Sequence, residues 1–141
     1  MKQLNSEHKL GEVIPNIATL LNQNVKRFGE KIVFQEKNNK GVYEGITWNE
    51  FYNNIQNIAY NLQQNGFQKG EKIVVFSRNC LEMLELELAV MAYGGVVVPI
   101  FANFKKETAE LLINHSRATW LAVQGETQLA KIGTELNLKT I

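Results

Sequence analysis

Ile17, Leu20, Leu21, Val25 and Phe28 recur at the intervals that line one face of an α-helix, and Gly29 stops the run. Residues 1–15, ending at Pro15, carry no such period and are expected to form an irregular leader. Beyond Gly29 the pattern shortens. Lys31 to Lys37 (KIVFQEK) reads as a strand, Asn38-Asn39-Lys40-Gly41 as a turn and Val42 to Ile46 as the returning strand, which predicts a β-hairpin. Thr47 follows, with Glu50 three residues on: a capping box, in which each side chain satisfies a free backbone N–H at a helix start. Phe51, Ile55, Ile58, Ala59 and Leu62 form the apolar face of that helix; Asn53, Asn54, Asn57 and Asn61 form its polar side. Gly66 ends it, where a left-handed residue is favoured.

From Lys72 the pattern is β-α-β-α-β. Lys72 to Ser77 holds a continuous apolar centre, Ile73-Val74-Val75-Phe76, as suits a parallel strand covered on both faces. Asn79 with Glu82 predicts a second capping box, and the helix from Cys80 to Tyr93 is apolar on more than one side. Gly94 and Gly95 end it, and Val96 to Ile100 reads as another buried strand. Lys106 to His115 is a predicted helix with Leu111 and Leu112 inward, Thr119 to Gln124 a strand, and Thr127 to Leu136 a helix. A last strand begins at Leu138. Only four residues remain there, against the usual 5–6 or so, and the expectation is a truncated domain. The fold class is α/β: a mixed, mostly parallel sheet flanked by helices, with an N-terminal β-hairpin. Its exposed sheet edges are expected to permit self-association, a homodimer included.

Composition narrows the function classes. The 141 residues carry a formal net charge of +1 with no basic stripe, against what a nucleic-acid binder needs. Val96 to Phe101 is the longest apolar stretch, far short of the roughly 20 residues of a membrane helix, so membrane contact is expected to be peripheral at most. A single cysteine, Cys80, excludes an internal disulfide framework, and the N-terminus lacks the apolar core of a signal peptide. A cytoplasmic setting is the expectation.

Few residues offer chemistry by themselves. Glu82, Glu85 and Glu87 share a helix, but Glu87 points about 140° from Glu82, so they read as solvated helix surface. His115 near a helix C-terminus reads as structural, able to bond the last free carbonyls. No second ligand stands at metal spacing from it, and no metal site is expected. Cys80 at a helix N-terminus reads as packing before nucleophile, and Trp48 and Trp120 as core. Ser77-Arg78-Asn79 lies where a parallel strand enters a helix, a standard ligand position in open α/β sheets, yet no glycine-rich loop accompanies it.

Several segments, taken in order, resemble the opening of adenylate-forming (AMP-binding) enzymes. Ile46-Thr47-Trp48-Asn49-Glu50-Phe51 resembles their first core motif. Gly66-Phe67-Gln68-Lys69-Gly70-Glu71-Lys72-Ile73 resembles the entry to the next strand. Met91 to Ile100, with Gly94, Gly95 and Pro99, resembles the second core motif. Leu112-Ile113-Asn114-His115-Ser116, followed by Arg117-Ala118, resembles a segment of acyl-CoA synthetases. The wording is most similar to the long-chain fatty-acid–CoA ligase branch, over roughly residues 15–141. In these motifs Thr47, Glu50, Gly94, Gly95 and Pro99 are scaffold residues.

The resemblance implies a parent enzyme that activates a fatty acid with ATP and Mg2+, releasing pyrophosphate. The acyl-adenylate then passes its acyl group to CoA, yielding acyl-CoA and AMP. The family's phosphate loop and its other catalytic segments do not occur in this sequence, so no catalytic residue is expected here, and no cofactor is expected bound to the segment alone. The family also implies a CoA-side loop after the Val-Pro strand. Phe101 and Phe104 match its aromatic positions, Ala102 and Asn103 replace its glycines, and Lys131 stands for its downstream cations. Two other readings stay open: an adenylation enzyme that loads a carrier protein, and a non-catalytic α/β interaction module.

Overall fold

The structure, a computed structural model, describes residues 7–8, 11, 13–133, 136 and 138–141, with Thr140 by its backbone alone. Most of the predicted leader falls on residues 1–6, 9–10 and 12, outside the described residues.

Helix α1 (Ile17–Phe28) begins at Asn16, whose side chain accepts the Thr19 N–H at 2.8 Å. Strands β1 (Ile32–Lys37) and β2 (Tyr43–Thr47) pair antiparallel about a turn in which Asn38 Oδ1 accepts the N–H groups of Lys40 and Val42. Helix α2 (Trp48–Gln64) opens on the predicted capping box. Glu50 N–H donates to Thr47 Oγ1, and Thr47 N–H donates to the Glu50 carboxylate at 2.9 Å. Then follow β3 (Lys72–Ser77), α3 (Leu81–Tyr93), β4 (Val96–Phe101), α4 (Lys106–Ser116), β5 (Trp120–Val123), α5 (Glu126–Leu129) and β6 (Lys139–Thr140).

The expected antiparallel and parallel pairings are both present, but not in one mixed sheet. The hairpin is a sheet of its own, and a wholly parallel sheet runs in the order β4-β3-β5-β6. The chain leaves β3 in one direction to reach β4, then doubles back past β3 to β5. Right-handed crossovers running in opposite directions place α3 and α4 on opposite faces. The core follows this division. Ile73 and Val75 pack with Leu62, Phe67, Val90 and Trp120 on the α2–α3 side. Their strand neighbours Val74 and Phe76 pack with Ala109, Ile113 and Leu121 on the α4 side. A third cluster, Leu21, Phe51, Ile55 and Ala89, joins α1, α2 and α3, and Phe34 brings the hairpin onto it, its ring edge-on to Phe51 at 5.1 Å.

Gly94 and Gly95 turn α3 into β4. Gly94 has φ 98°, a left-handed conformation. A Cβ on Gly95 would lie 2.6 Å from Phe67 Cε1 and 2.9 Å from Val90 Cγ1. The backbone therefore passes directly over a buried ring.

Five sequence expectations change. Strand β4 is not buried along its length: it is the sheet edge, with Ile100 buried and Val97 and Val98 half-buried against the core. Leu111 is 67% exposed, because the sheet side of α4 is taken by Ala109 and Ile113. Asn79 and Glu82 make no capping box. Cys80 is the N-cap without a side-chain cap bond, and the Leu81 N–H donates to Glu36 Oε1, from the hairpin, at 2.8 Å. Glu85 is not solvated surface: it is buried, accepting a hydrogen bond from Asn54 Nδ2 at 2.8 Å, which also turns Asn54 inward from the polar side of α2. Helix α5 ends at Leu129, earlier than predicted; residues 134 and 135 of that predicted helix lie outside the described residues.

Candidate functional site

The loops that follow β3, β4 and β5 all emerge at the carboxyl end of the parallel sheet, where open α/β folds bind ligands. The strand order reverses about β3, so the crevice between β3 and β5 is the topological switch point. A cleft of about 400 Å³ opens there, lined on one side by Ser77, Cys80, Met83 and Leu86 and on the other by Ala122 and Gln124. Its floor is apolar and its rim polar. Beside it, the backbone N–H and the Nε–H of Arg78 both donate to Gln124 Oε1, at 3.1 and 3.3 Å. The Arg78 guanidinium is thus tied in part to the β5 loop. Ser77 Oγ donates to the Arg78 carbonyl at 2.8 Å and lies 3.7 Å from Cys80 Sγ.

The second element of this end is the β4–α4 turn. Phe104 N–H donates to the Phe101 carbonyl at 3.0 Å, which brings the two rings together edge to face at 5.5 Å. Phe101 is 75% exposed and Asn103 is exposed, whereas Ala102 between them is buried. Lys131 reaches this turn from beyond α5, its Nζ donating to the Ala102 carbonyl at 2.9 Å. The structure therefore brings Phe101, Phe104 and Lys131 to one place, while Asn103 stands at the tip.

Other candidates separate. The carboxylate trio on α3 does not converge. Glu82 is exposed at the cleft rim, and Glu85 faces α2. Burial pushes the Glu85 carboxyl above its ordinary value; the Asn54 hydrogen bond opposes that, and the charges of Glu82 and Glu36 add to it. Glu87 is raised by burial too, and its Oε1 is a buried oxygen without a hydrogen-bond partner. His115 does not close its helix. The Ile113 carbonyl accepts Ser116 Oγ–H at 2.6 Å, and the Ser116 carbonyl accepts Lys72 Nζ at 2.8 Å. Trp48 and Trp120 are packing residues. Trp120 is 2% exposed, its Nε1–H donating to Glu71 at 3.3 Å.

Among the described residues no group of three or more His, Cys, Asp and Glu side chains is placed to hold a metal ion. The sequence also lacks a glycine-rich phosphate loop. No step of an adenylation is assigned to the described residues. Reasoning from sequence missed the Glu36 cap and the Arg78–Gln124 bridge, which join residues 45 and 46 positions apart and leave no local signature.

Residues 21–140 match the family model described as AMP-binding enzyme. Long-chain-fatty-acid–CoA ligase ACSBG2 of Rattus norvegicus is 27% identical over 128 residues, covering 90% of this chain and 19% of the relative. Long-chain-fatty-acid–CoA ligase FadD15 of Mycobacterium bovis is 26% identical over 83% of this chain and 19% of its own length. Among solved structures, the Klebsiella oxytoca NpsA N-terminal subdomain superposes with a TM-score of 0.78 at 17% identity, over 89% of this chain and 30% of that one. The fatty acid AMP ligase from Legionella pneumophila gives 0.75 at 17% identity, over 89% and 23%. At those identities the structural likeness speaks for the fold. The chain spans about a fifth (19%) of the length of the two ligases it matches.

Proposed function

The chain belongs to the AMP-binding enzyme family, and we propose that it forms the front of the N-terminal domain of a long-chain fatty-acid–CoA ligase. In this reading residues 16–141 are the first part of that domain and residues 1–15 its leader. The whole ligase consumes a fatty acid, ATP with Mg2+ and CoA, and yields acyl-CoA, AMP and pyrophosphate through an acyl-adenylate. The observation that carries the proposal is the match to two long-chain ligases along 90% and 83% of the chain.

This segment's own contribution is scaffold and one loop. Thr47 and Glu50 start α2, Gly94 and Gly95 seat β4 against Phe67, and Pro99 occupies the edge strand. Phe101, Asn103, Phe104 and Lys131 form the CoA-side turn, with the exposed Phe101 ring available to stack on a planar base. The groups that react with ATP belong to the remainder of the ligase. The proposed setting is cytoplasmic, with contact to a membrane surface and to a second copy as further expectations. No helix among the described residues is long and apolar enough to cross a membrane.

The test is product analysis on the ligase that carries this chain, supplied with a long-chain acid, Mg-ATP and CoA. Acyl-CoA and AMP formed in equal amounts support the reading. Acyl-adenylate that ignores CoA and loads a phosphopantetheinylated carrier protein replaces it with the carrier-loading reading. ADP as product removes both.

A further inference from the structure

The Ala102 carbonyl is buried chain that the turn itself leaves unpaired: the turn bond closes from Phe104 N–H to the Phe101 carbonyl one residue earlier. A buried carbonyl needs a partner, and Lys131 Nζ supplies it at 2.9 Å. The same ammonium lies 5.5 Å from the ring centroid of Phe76, a fully buried residue near the end of β3. It is thus held between a main-chain oxygen and an aromatic face, two interactions that each favour a cation. The rings of the turn are presented outward, Phe101 being 75% exposed. One side chain therefore joins the end of β3, the turn after β4 and the segment after α5.

We propose that Lys131 is a positioning residue for CoA. Its ammonium holds the Ala102 carbonyl, and thereby sets the Phe101–Phe104 ring pair as a rigid platform for the base, without contacting a phosphate of the nucleotide. This rests on the reading of the turn as the CoA side of a ligase. The alternative role for a cation at this position is direct pairing with the 3′-phosphate. The two roles differ in one measurable respect. A phosphate partner distinguishes CoA from 3′-dephospho-CoA, and a residue that holds the turn does not.

The experiment compares the ligase carrying this chain with its Lys131→Met, Lys131→Arg and Phe101→Ala variants. CoA and 3′-dephospho-CoA are the thiol substrates, and hydrogen exchange is followed across the 101–104 turn. Losing a charge-assisted hydrogen bond predicts that Lys131→Met raises KM about tenfold. The factor is the same for both thiols, kcat and acid-dependent ATP–pyrophosphate exchange are unchanged, and amide exchange at Phe104 is faster. Lys131→Arg restores most of the loss. A KM rise for CoA alone, with no change for 3′-dephospho-CoA, overturns the proposal in favour of phosphate contact. Unchanged exchange at Phe104 in Lys131→Met overturns it as well. If Phe101→Ala leaves both KM values unchanged while Lys131→Met still loosens the turn, the CoA reading of the turn has failed and the hold of Lys131 on Ala102 stands.

Discussion

The carboxylate of Glu36, on the β-hairpin, accepts the N–H of Leu81 at 2.8 Å and so caps helix α3 from a separate sheet. The local candidate, Asn79 with Glu82, leaves that end without a side-chain cap of its own. One bond therefore serves two purposes: it satisfies a free donor of α3 and fixes the hairpin against the α1–α2–α3 layer. An anionic acceptor there also meets the positive end of the helix dipole.

The prediction is asymmetric. Glu36→Ala costs about 1 kcal/mol, the usual loss for a helix cap, whereas Asn79→Ala is close to neutral. Urea unfolding of the two variants checks this. A larger loss from Asn79→Ala would return the cap to the local box.

Gly95 gives a prediction by size. Its missing side chain is what lets β4 leave α3 over Phe67 and Val90, at approaches of 2.6 and 2.9 Å for an added Cβ. Both neighbours are fully buried and have nowhere to move. Gly95→Ala therefore costs about 1–3 kcal/mol as overpacking. Gly11→Ala, where an added Cβ meets nothing within 4 Å, stays within about 0.5 kcal/mol. Equal losses at the two positions would count against the close approach.

Glu85 sets a pH dependence. Burial raises its folded pKa above the unfolded value, so its contribution to stability is fully present below the unfolded pKa and is lost as pH rises through the folded one. Glu85→Gln keeps a carbonyl acceptor for Asn54 and removes the charge. The variant is then more stable than the parent at neutral pH, and the gap closes on the acid side of the carboxylate range. Glu50 works the other way. The backbone and side-chain hydrogen bonds of Thr47 lower its pKa, so its contribution is present above the unfolded pKa and lost as pH falls through the folded one. Denaturant midpoints across that range separate the two limbs. A Glu85→Gln variant less stable than the parent at neutral pH would contradict the assignment.

Pro99 guards the open edge of the sheet. Val96 N–H donates inward to the Glu71 carbonyl, so by strand alternation the backbone groups of Val97, Pro99 and Phe101 face outward. Proline places no donor at the middle one, which blunts strand addition. Pro99→Val is expected to increase self-association, seen as a larger sedimentation coefficient at high concentration. An unchanged coefficient would show that the edge is protected by other means.

What was legible in the sequence was what is local. Thr47, Glu50 and the spacing from Phe51 to Leu62 specify α2, and the Ile73–Phe76 run specifies a strand buried on both faces. Burial of β4 was not legible. Val96 to Ile100 is as apolar as a central strand, and only Pro99 signalled an edge. Of Leu111 and Leu112, both expected inward, only Leu112 packs on the core, and the sequence could not separate them because the choice depends on where α4 crosses the sheet. Glu85 read as surface because its partner, Asn54, lies 31 positions away on another helix. At the candidate site, the resemblance placed Phe101, Phe104 and Lys131 in one list; that Lys131 holds the Ala102 carbonyl follows only from three dimensions.

Acid-dependent exchange of labelled pyrophosphate into ATP, assayed on the purified 141-residue chain with a long-chain fatty acid and Mg2+, tests most directly the claim that this segment supplies scaffold and not reacting groups. The account predicts no exchange above the acid-free control, and robust exchange from the ligase that carries the segment. Saturable exchange by the segment alone, abolished by a substitution within it, would contradict the account.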